Sequence, residues 1–329
     1  MWFTKLNLLR YLFVFRVNSP LVWFPAYPSP EFSIVMGNAV ADRVPSTEAR
    51  HWRKSLSAWQ KFGGMRLGAR RDFKKLPPNP WPVEAVIMPY PGKRCYGKGE
   101  LIFCEIKLLG DEADHRLILE TIVPALEELG SRRDSRWNYK NCLWGHFDIH
   151  GVYTALGESW TPLVRDGQLD LNLRPDPLQW SQGMRFSPCL KRPRDRMRWI
   201  TPFHPNEEKG DGTVRIQERI PSLTGILDAL ALRLAGLMSG KKYYTAENFW
   251  QMLSEEQAQT FRDARIAVSR IPMIEYQTHA GSPWQLDQNT GTQIFSTRIP
   301  EEVYPWLALA SVIHIGDYTH FGWGTFVIN

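Results

Sequence analysis

With 329 residues, 43% of them hydrophobic, the chain can bury a substantial core, as one large domain or two ordinary ones. Its four cysteines, Cys95, Cys104, Cys142 and Cys189, show no Cys-x-x-Cys spacing, which excludes a disulfide scaffold and suits a reducing, cytoplasmic setting. The formal charge of +6 suits a polyanionic partner, and no run of about 18 apolar residues is present to cross a membrane.

The opening stretch LNLLRYLFVFRVNSPLVWF is apolar, but Arg10 and Arg16 interrupt it and no small-residue cleavage site follows, so it does not read as a signal peptide. Residues 11 to 17 alternate instead, with Tyr11, Phe13, Phe15 and Val17 on one side, which predicts a first strand. Prolines 25, 28 and 30 mark a turn before a short helix over 31–42. A basic stretch follows and ends in the proline cluster KKLPPNPWP, which delivers the chain to a strand over 85–89. In GKGELIFCEIKLLG, Ile102, Cys104, Ile106 and Leu108 alternate with Leu101, Phe103, Glu105 and Lys107, the pattern of a strand with one buried face. Ile118, Ile122, Leu126 and Leu129 then fall at helical spacing, with Pro124 implying a kink and Gly130 a C-terminal stop. LWGHFDIHGVY returns as a strand.

Strand, helix, strand, strand, helix, strand is the split β-α-β order of a ferredoxin-like domain. The Pro- and Arg-rich stretch 187–197 reads as a linker, and the order then repeats. RWITPF is a short strand. PSLTGILDALALRLAGLMSG is a helix capped by Ser222 and ended by Gly240, with Leu223, Ile226, Leu227, Leu230, Leu234 and Leu237 in one stripe. Strands at about 265–270 and 291–297, a helix in EEVYPWLALASVIHI and a last strand in FGWGTFVI follow. The expected fold is therefore α+β, with two tandem ferredoxin-like (RRM-like) domains. The first, 1–190, carries a basic insertion over 43–82; the second, 191–329, ends on a glycine-rich loop.

Charge placement sharpens the partner. Residues 42–75 hold ten Lys or Arg against three acids, and RFSPCLKRPRDRMR (185–198) holds six against one. A third run, SRRDSRWNYK, spans 131–140. Charge runs are commonly solvated faces, but the Trp, Phe and Tyr interleaved with these favour nucleic acid.

The terminal loop sets Gly316, Gly322 and Gly324 among His320, Phe321 and Trp323. A dinucleotide-type glycine loop precedes its helix so that the helix N-terminus meets the anion. This loop follows its helix, so that reading fails. A tight turn with a bulge needs one or two glycines. Three suggest a bare backbone that a ligand approaches closely, a picture that requires the glycines not to be packed into the core.

HIGDYTHFGWGTFVI resembles the carboxy-terminal glycine-rich motif of RAMP-superfamily proteins. Within these it is most similar to the CRISPR repeat-RNA endoribonuclease family, Cas-six, whose members end on a pattern close to HIGKxTxFGLG plus a strand. NTGTQIFS resembles that family's GxI strand, RWITPF its TPL strand, PSLTGILDALALRL the helix after it, and AYPSPEFSIVMGNAV its YPGSxLRGAFGHAL segment. The likeness is patchy but colinear. Asn38 stands where the family pattern has His, Ser33 where it has Arg, His279 where Arg is common, and Asp317 where Lys is frequent.

The resemblance implies a metal-independent cut in a CRISPR repeat. The 2′-OH beside the scissile phosphate attacks in line, leaving 2′,3′-cyclic phosphate and 5′-OH ends. Such a reaction needs position, proton transfer and charge neutralisation, and no cofactor. The partners implied are repeat RNA, the guide RNA kept as product, and other effector-complex subunits. Asn38 does not exchange protons at neutral pH, so His51 in EARHWRKSLSAW becomes the candidate base, with Lys54 three residues on and Tyr27 as assistants. Arg50, Arg53, Arg70, Arg71, Lys74, Lys75, Lys191, Arg192, Arg194 and His279 are the candidate RNA contacts, with Gly316, His320, Phe321, Gly322, Trp323 and Gly324 of the loop.

Cys142, His146 and His150 are spaced four apart, but this stretch reads as a strand, where that spacing separates side chains by about 13 Å. No metal site is expected. Two other readings stay open: a non-catalytic repeat-RNA cap or scaffold subunit, favoured by Asn38, and a nonspecific DNA-binding accessory protein.

Overall fold

The computed structural model describes residues 6–25, 27–62, 79–90, 92–165, 167–184, 195–204, 220–239, 245–279 and 290–329. The chain divides into two compact units, Asn7–Gly183 on the one hand and Met184–Asn329 with Met1–Leu6 on the other.

The first unit runs β1 (Leu8–Val17), β2 (Val22–Trp23), α1 (Ser29–Arg43), α2 (Ser46–Phe62), β3 (Ala85–Tyr90), β4 (Cys95–Tyr96), β5 (Leu101–Leu109), α3 (Val123–Ser131), β6 (Phe147–Leu156), β7 (Ser159–Arg165) and β8 (Gln168–Leu169). Six strands form one antiparallel sheet in the order β3-β5-β1-β6-β7-β8, and β2 pairs with β4 in a small ribbon. β1 is central because its alternation commits one face to the core. Tyr11, Phe13, Phe15 and Val17 are all at most 1% exposed. On that face Phe15 packs edge-on against Phe147 of β6 at 4.8 Å between ring centroids, and Phe32 of α1 against Trp144 at 5.2 Å. These rings tie sheet, helix and the turn before β6 into one cluster. α1 and α3 pack on the sheet, and α2 packs on α1.

Two details correct the sequence reading here. Pro124 does not kink a continuous α-helix: the chain makes a wider π turn over Leu117–Ile122, and the proline enters at the start of α3. A proline lacks the N–H for the i→i−4 bond, and the π turn just before it absorbs that defect. Gly130 does not stop the helix, which continues to Ser131; a Cβ there would lie 2.4 Å from the Phe147 carbonyl oxygen, so the glycine lets α3 touch β6.

The second unit runs β9 (Arg196–Trp199), α4 (Leu223–Ser239), α5 (Ala246–Met252), α6 (Glu255–Ser269), β10 (Met273–Thr278), β11 (Gly291–Phe295), α7 (Tyr304–Ile313) and β12 (Phe326–Ile328). Its antiparallel sheet has the order β10-β11-β9-β12. The apolar stripe of α4 is buried along its length, and the Ser222 hydroxyl accepts from the Gly225 N–H at 3.1 Å as the expected cap. Gly240 lies outside the described residues. The strand expected at 265–270 is instead the end of α6. Ser254 and Gln257 form a reciprocal capping box, and Ala258, Phe261, Ala264 and Val268 are buried at helical spacing. Residues 143–146, read as the start of a strand, form the turn that precedes β6.

Candidate nucleic-acid interface

α2 offers the clearest basic surface. Ala49, Trp52, Leu56 and Trp59 are at most 5% exposed, and Trp52 packs against Trp81 with ring centroids 5.2 Å apart. Burying that stripe turns Arg50, His51, Arg53 and Lys54 outward, all of them exposed. Arg53 is partly engaged, since its Nη2 donates to the Ala41 carbonyl at 3.3 Å. His51, Lys54, Arg50 and Arg53 thus share one solvent-facing arc. Tyr27 does not join them: it is buried ahead of α1, at 6% exposure. Asn38, where the resemblance expects a histidine, is also buried, and its Nδ2 donates to the Ile34 carbonyl at 2.8 Å within α1.

The terminal loop is built, but inward. Gly316, Gly322 and Gly324 all have positive φ, as do the non-glycines His314 and Tyr318, both at 61°. A Cβ on Gly324 would lie 1.8 Å from the Ile315 carbonyl oxygen, and one on Gly316 would lie 2.2 Å from that of His204. The Gly324 N–H donates to the Pro202 carbonyl and the Asp317 N–H to that of His204, both at 2.9 Å. The backbone that approaches Gly316 and Gly324 is therefore the protein's own: the segment after β9 for Gly316, and Ile315 at the start of the loop itself for Gly324, whose N–H also reaches Pro202. His320, Phe321 and Trp323 are at most 2% exposed, and Gly322 and Gly324 are buried. The expectation of a bare loop presenting rings to a ligand is corrected on this point: the glycines serve a self-contact. What the loop leaves half-exposed is Gly316, Asp317, Tyr318 and, beside them, His204. The His204 Nδ1 lies 3.5 Å from an Asp317 carboxylate oxygen.

The sheet of the first unit carries a charged cluster that alternation did not reveal. Glu105 and Lys107 of β5 sit on the face away from Cys104 and Ile106, yet they are 2% and 3% exposed. Arg10 Nε donates to Glu105 Oε1 at 2.7 Å, and the Tyr90 hydroxyl donates to Oε2 at 2.6 Å. Lys107 Nζ lies 3.9 Å from Oε1. Burial alone would raise the Glu105 pKa, but Lys107, Arg10 and the Tyr90 hydroxyl together hold it down at about 2. For Lys107 burial outweighs the attraction of Glu105, with Arg10 adding repulsion, and its pKa falls to about 8. A signal was present in the sequence: two opposite charges at i and i+2 on a strand otherwise apolar throughout.

His279 is exposed just past β10, and its Nε2 is 3.0 Å from the Thr292 hydroxyl. Arg70, Arg71, Lys74, Lys75, Lys191, Arg192 and Arg194 lie outside the described residues. Among the described residues no three His, Cys, Asp or Glu converge as a metal site, and no helix is long and apolar enough to cross a membrane.

No protein-family profile matches the chain, and no curated protein does. Solved structures do. A partial Cas6-RT-Cas1–Cas2 complex matches 98% of this chain and 46% of its own at 12% identity, with a TM-score of 0.52. A Cas6-RT-Cas1–Cas2 complex matches with the same identity, coverage of this chain and TM-score, over 29% of its own chain. Thermus thermophilus Cas6 matches 98% of each chain at 14% identity, with a TM-score of 0.43. This chain thus spans less than half the length of the first two solved chains. Its structural neighbours are Cas6 proteins and Cas6-containing complexes, and what it shares with the two complexes at 12% identity is a mixed helix-and-sheet fold.

Proposed function

We propose that this chain binds CRISPR repeat RNA and cleaves the precursor transcript by metal-independent attack of the 2′-OH. The ends would be 2′,3′-cyclic phosphate and 5′-OH, with the guide RNA kept for an effector complex. The observation that carries this reading is the match of 98% of the chain, at a TM-score of 0.52, to a Cas6-containing complex. The strand orders support it. Leaving out the added β7 and β8, each sheet runs second, third, first, fourth in chain order, the arrangement of a ferredoxin-like domain, so we read two such domains in tandem. In this reading the α2 arc meets the RNA backbone. Arg50 and Arg53 neutralise phosphates, His51 takes the 2′-OH proton, and Lys54 stabilises charge on the leaving group. Because two of the solved neighbours are Cas6-RT-Cas1–Cas2 assemblies, we extend partner subunits of that kind to this chain as well. The setting would be cytoplasmic.

The test is incubation with end-labelled repeat RNA in excess chelator. The expected result is one cut with a cyclic phosphate end, abolished in His51→Ala with binding retained. Repeat RNA left intact and unbound would overturn the proposal.

Asn38 favours a second reading, a non-catalytic repeat-RNA cap or scaffold subunit. Its amide is already spent on the Ile34 carbonyl inside α1, where the resemblance expects a proton-transferring histidine. Tight binding without a cut, in wild type and His51→Ala alike, would select it.

A further inference from the structure

The sheet face of the first unit that carries Glu105 and Lys107 buries those two side chains but presents exposed aromatic rings beside them, one of them held from below. Tyr90 on β3 and Phe103 on β5 are direct register partners, 39% and 40% exposed. Leu101 flanks them at 37%, and its partner on β1 is Arg16, also exposed. Tyr90 is not a loose surface ring. Its hydroxyl is bound to Glu105, which Arg10 holds from the other side. The Arg10 guanidinium in turn lies 5.2 Å from the ring centroid of Trp160 on β7, itself 38% exposed. Trp160, Arg10, Glu105, Tyr90 and Phe103 thus form a band across five adjacent strands, about 19 Å at the usual strand spacing.

Strand propensity alone accounts for aromatics on a sheet. It does not account for a buried carboxylate that orients one of them, nor for the sign of the surrounding charge. Arg10, Arg16 and Lys107 face Glu105 and Asp148, the register partner of Arg16, so the face counts three cations against two carboxylates, with Lys107 buried. Exposed π-faces, one of them held in orientation, with arginines alongside, are what unpaired bases and their phosphates require. The apolar patch, two rings and a leucine, is small for a protein docking face and matched to bases.

We propose that the Tyr90–Phe103 pair is a stacking platform for unpaired nucleotides of single-stranded RNA, separate from the α2 arc. It rests on the RNA-binding reading and adds a subsite to it. Tyr90 and Phe103 make the contact; Glu105 is a positioning residue that sets the tilt of Tyr90.

The test uses the full chain with a 5′-fluorescein ten-nucleotide oligo(U), the same oligomer carrying 4-thiouridine, and repeat RNA. Phe103→Ala should weaken oligo(U) binding about tenfold, and Phe103→Trp should keep it near wild type. Photocrosslinks should fall on a peptide holding Tyr90 or Phe103. Equal affinity in Phe103→Ala, or crosslinks confined to α2, overturns the platform. Repeat RNA bound and cut while oligo(U) is ignored overturns it too and leaves the proposed function standing. Oligo(U) bound through Phe103 with repeat RNA unrecognised keeps the platform and removes the repeat reading. A protein partner lost in Phe103→Ala at unchanged RNA affinity assigns the face to protein instead and overturns it. Phe103 is exposed on the sheet face, so an unchanged unfolding midpoint separates each result from misfolding.

Discussion

Replacing Glu105 with Gln keeps the shape of the buried cluster and removes its only negative charge among the residues that bind it. Arg10 and Lys107 then face each other at a site where Glu105 is 2% exposed. Breaking a buried pair by removing one partner costs about 3–5 kcal/mol. The titration leads to a similar figure. The carboxyl sits near 2 instead of its usual 4.5, and at about 1.4 kcal/mol per unit that is roughly 3.5 kcal/mol. Lys107 limits the loss: its pKa is already down at about 8, so without Glu105 it sheds its proton more readily and relieves the repulsion. A net loss of about 2–3 kcal/mol is expected at neutral pH. The signs with pH are opposite for the two groups. Glu105 has a depressed pKa, so its contribution is full above about 4.5 and is lost as pH falls toward 2. Lys107 is also depressed, so the fold releases a proton and gains stability as pH rises from about 8 to 10.5. The assay is urea unfolding of wild type and Glu105→Gln at steps from pH 3 to 10, followed by tryptophan fluorescence. Wild type should weaken between pH 5 and 3, and the variant should be flatter there. A variant within about 0.5 kcal/mol of wild type at pH 7, with the same acid slope, would refute the reasoning.

Gly324→Ala should destabilise by about 3 kcal/mol or prevent folding, because its Cβ would meet the Ile315 carbonyl oxygen at 1.8 Å and its φ is +81°. Gly99→Ala, at φ +87° with nothing within 4 Å, should cost only about 1 kcal/mol; thermal midpoints of the two variants check the contrast. Trp52→Ala should cost about 3–5 kcal/mol by opening the contact between α2 and Trp81, read as a lower urea midpoint. Arg50→Ala should leave stability unchanged and flatten the salt dependence of RNA binding by about 0.7 in log–log slope, measured by titration at several ionic strengths.

What was legible in the sequence was whatever a single segment decides. β1 and α4 each carry their full period within one run, so their buried faces follow from the run alone. α6 was misread because RIAVSR is short enough to fit either period; the cap pair Ser254 and Gln257, eleven and eight residues upstream of Arg265 at its start, held the answer. Glu105 and Lys107 were assigned to solvent because alternation speaks only for their own strand, whereas Arg10 and Tyr90, which meet Glu105, come from two others. The glycine loop was legible as a close backbone approach but not as to what approaches. A glycine in a sequence says that a side chain would collide; only the pairing of distant segments says with what. Here the colliding groups are the carbonyls of His204 and Ile315, so the loop acts as a strut between β9 and β12. A strut fails differently from a binding surface. Substitutions at Gly316 or Gly324 should lower RNA affinity only in step with loss of the folded second unit, while those on α2 should lower it in a protein of unchanged stability. Were Gly324→Ala to fold as well as wild type and yet lose RNA, the buried backbone contact would not be the reason for the glycine.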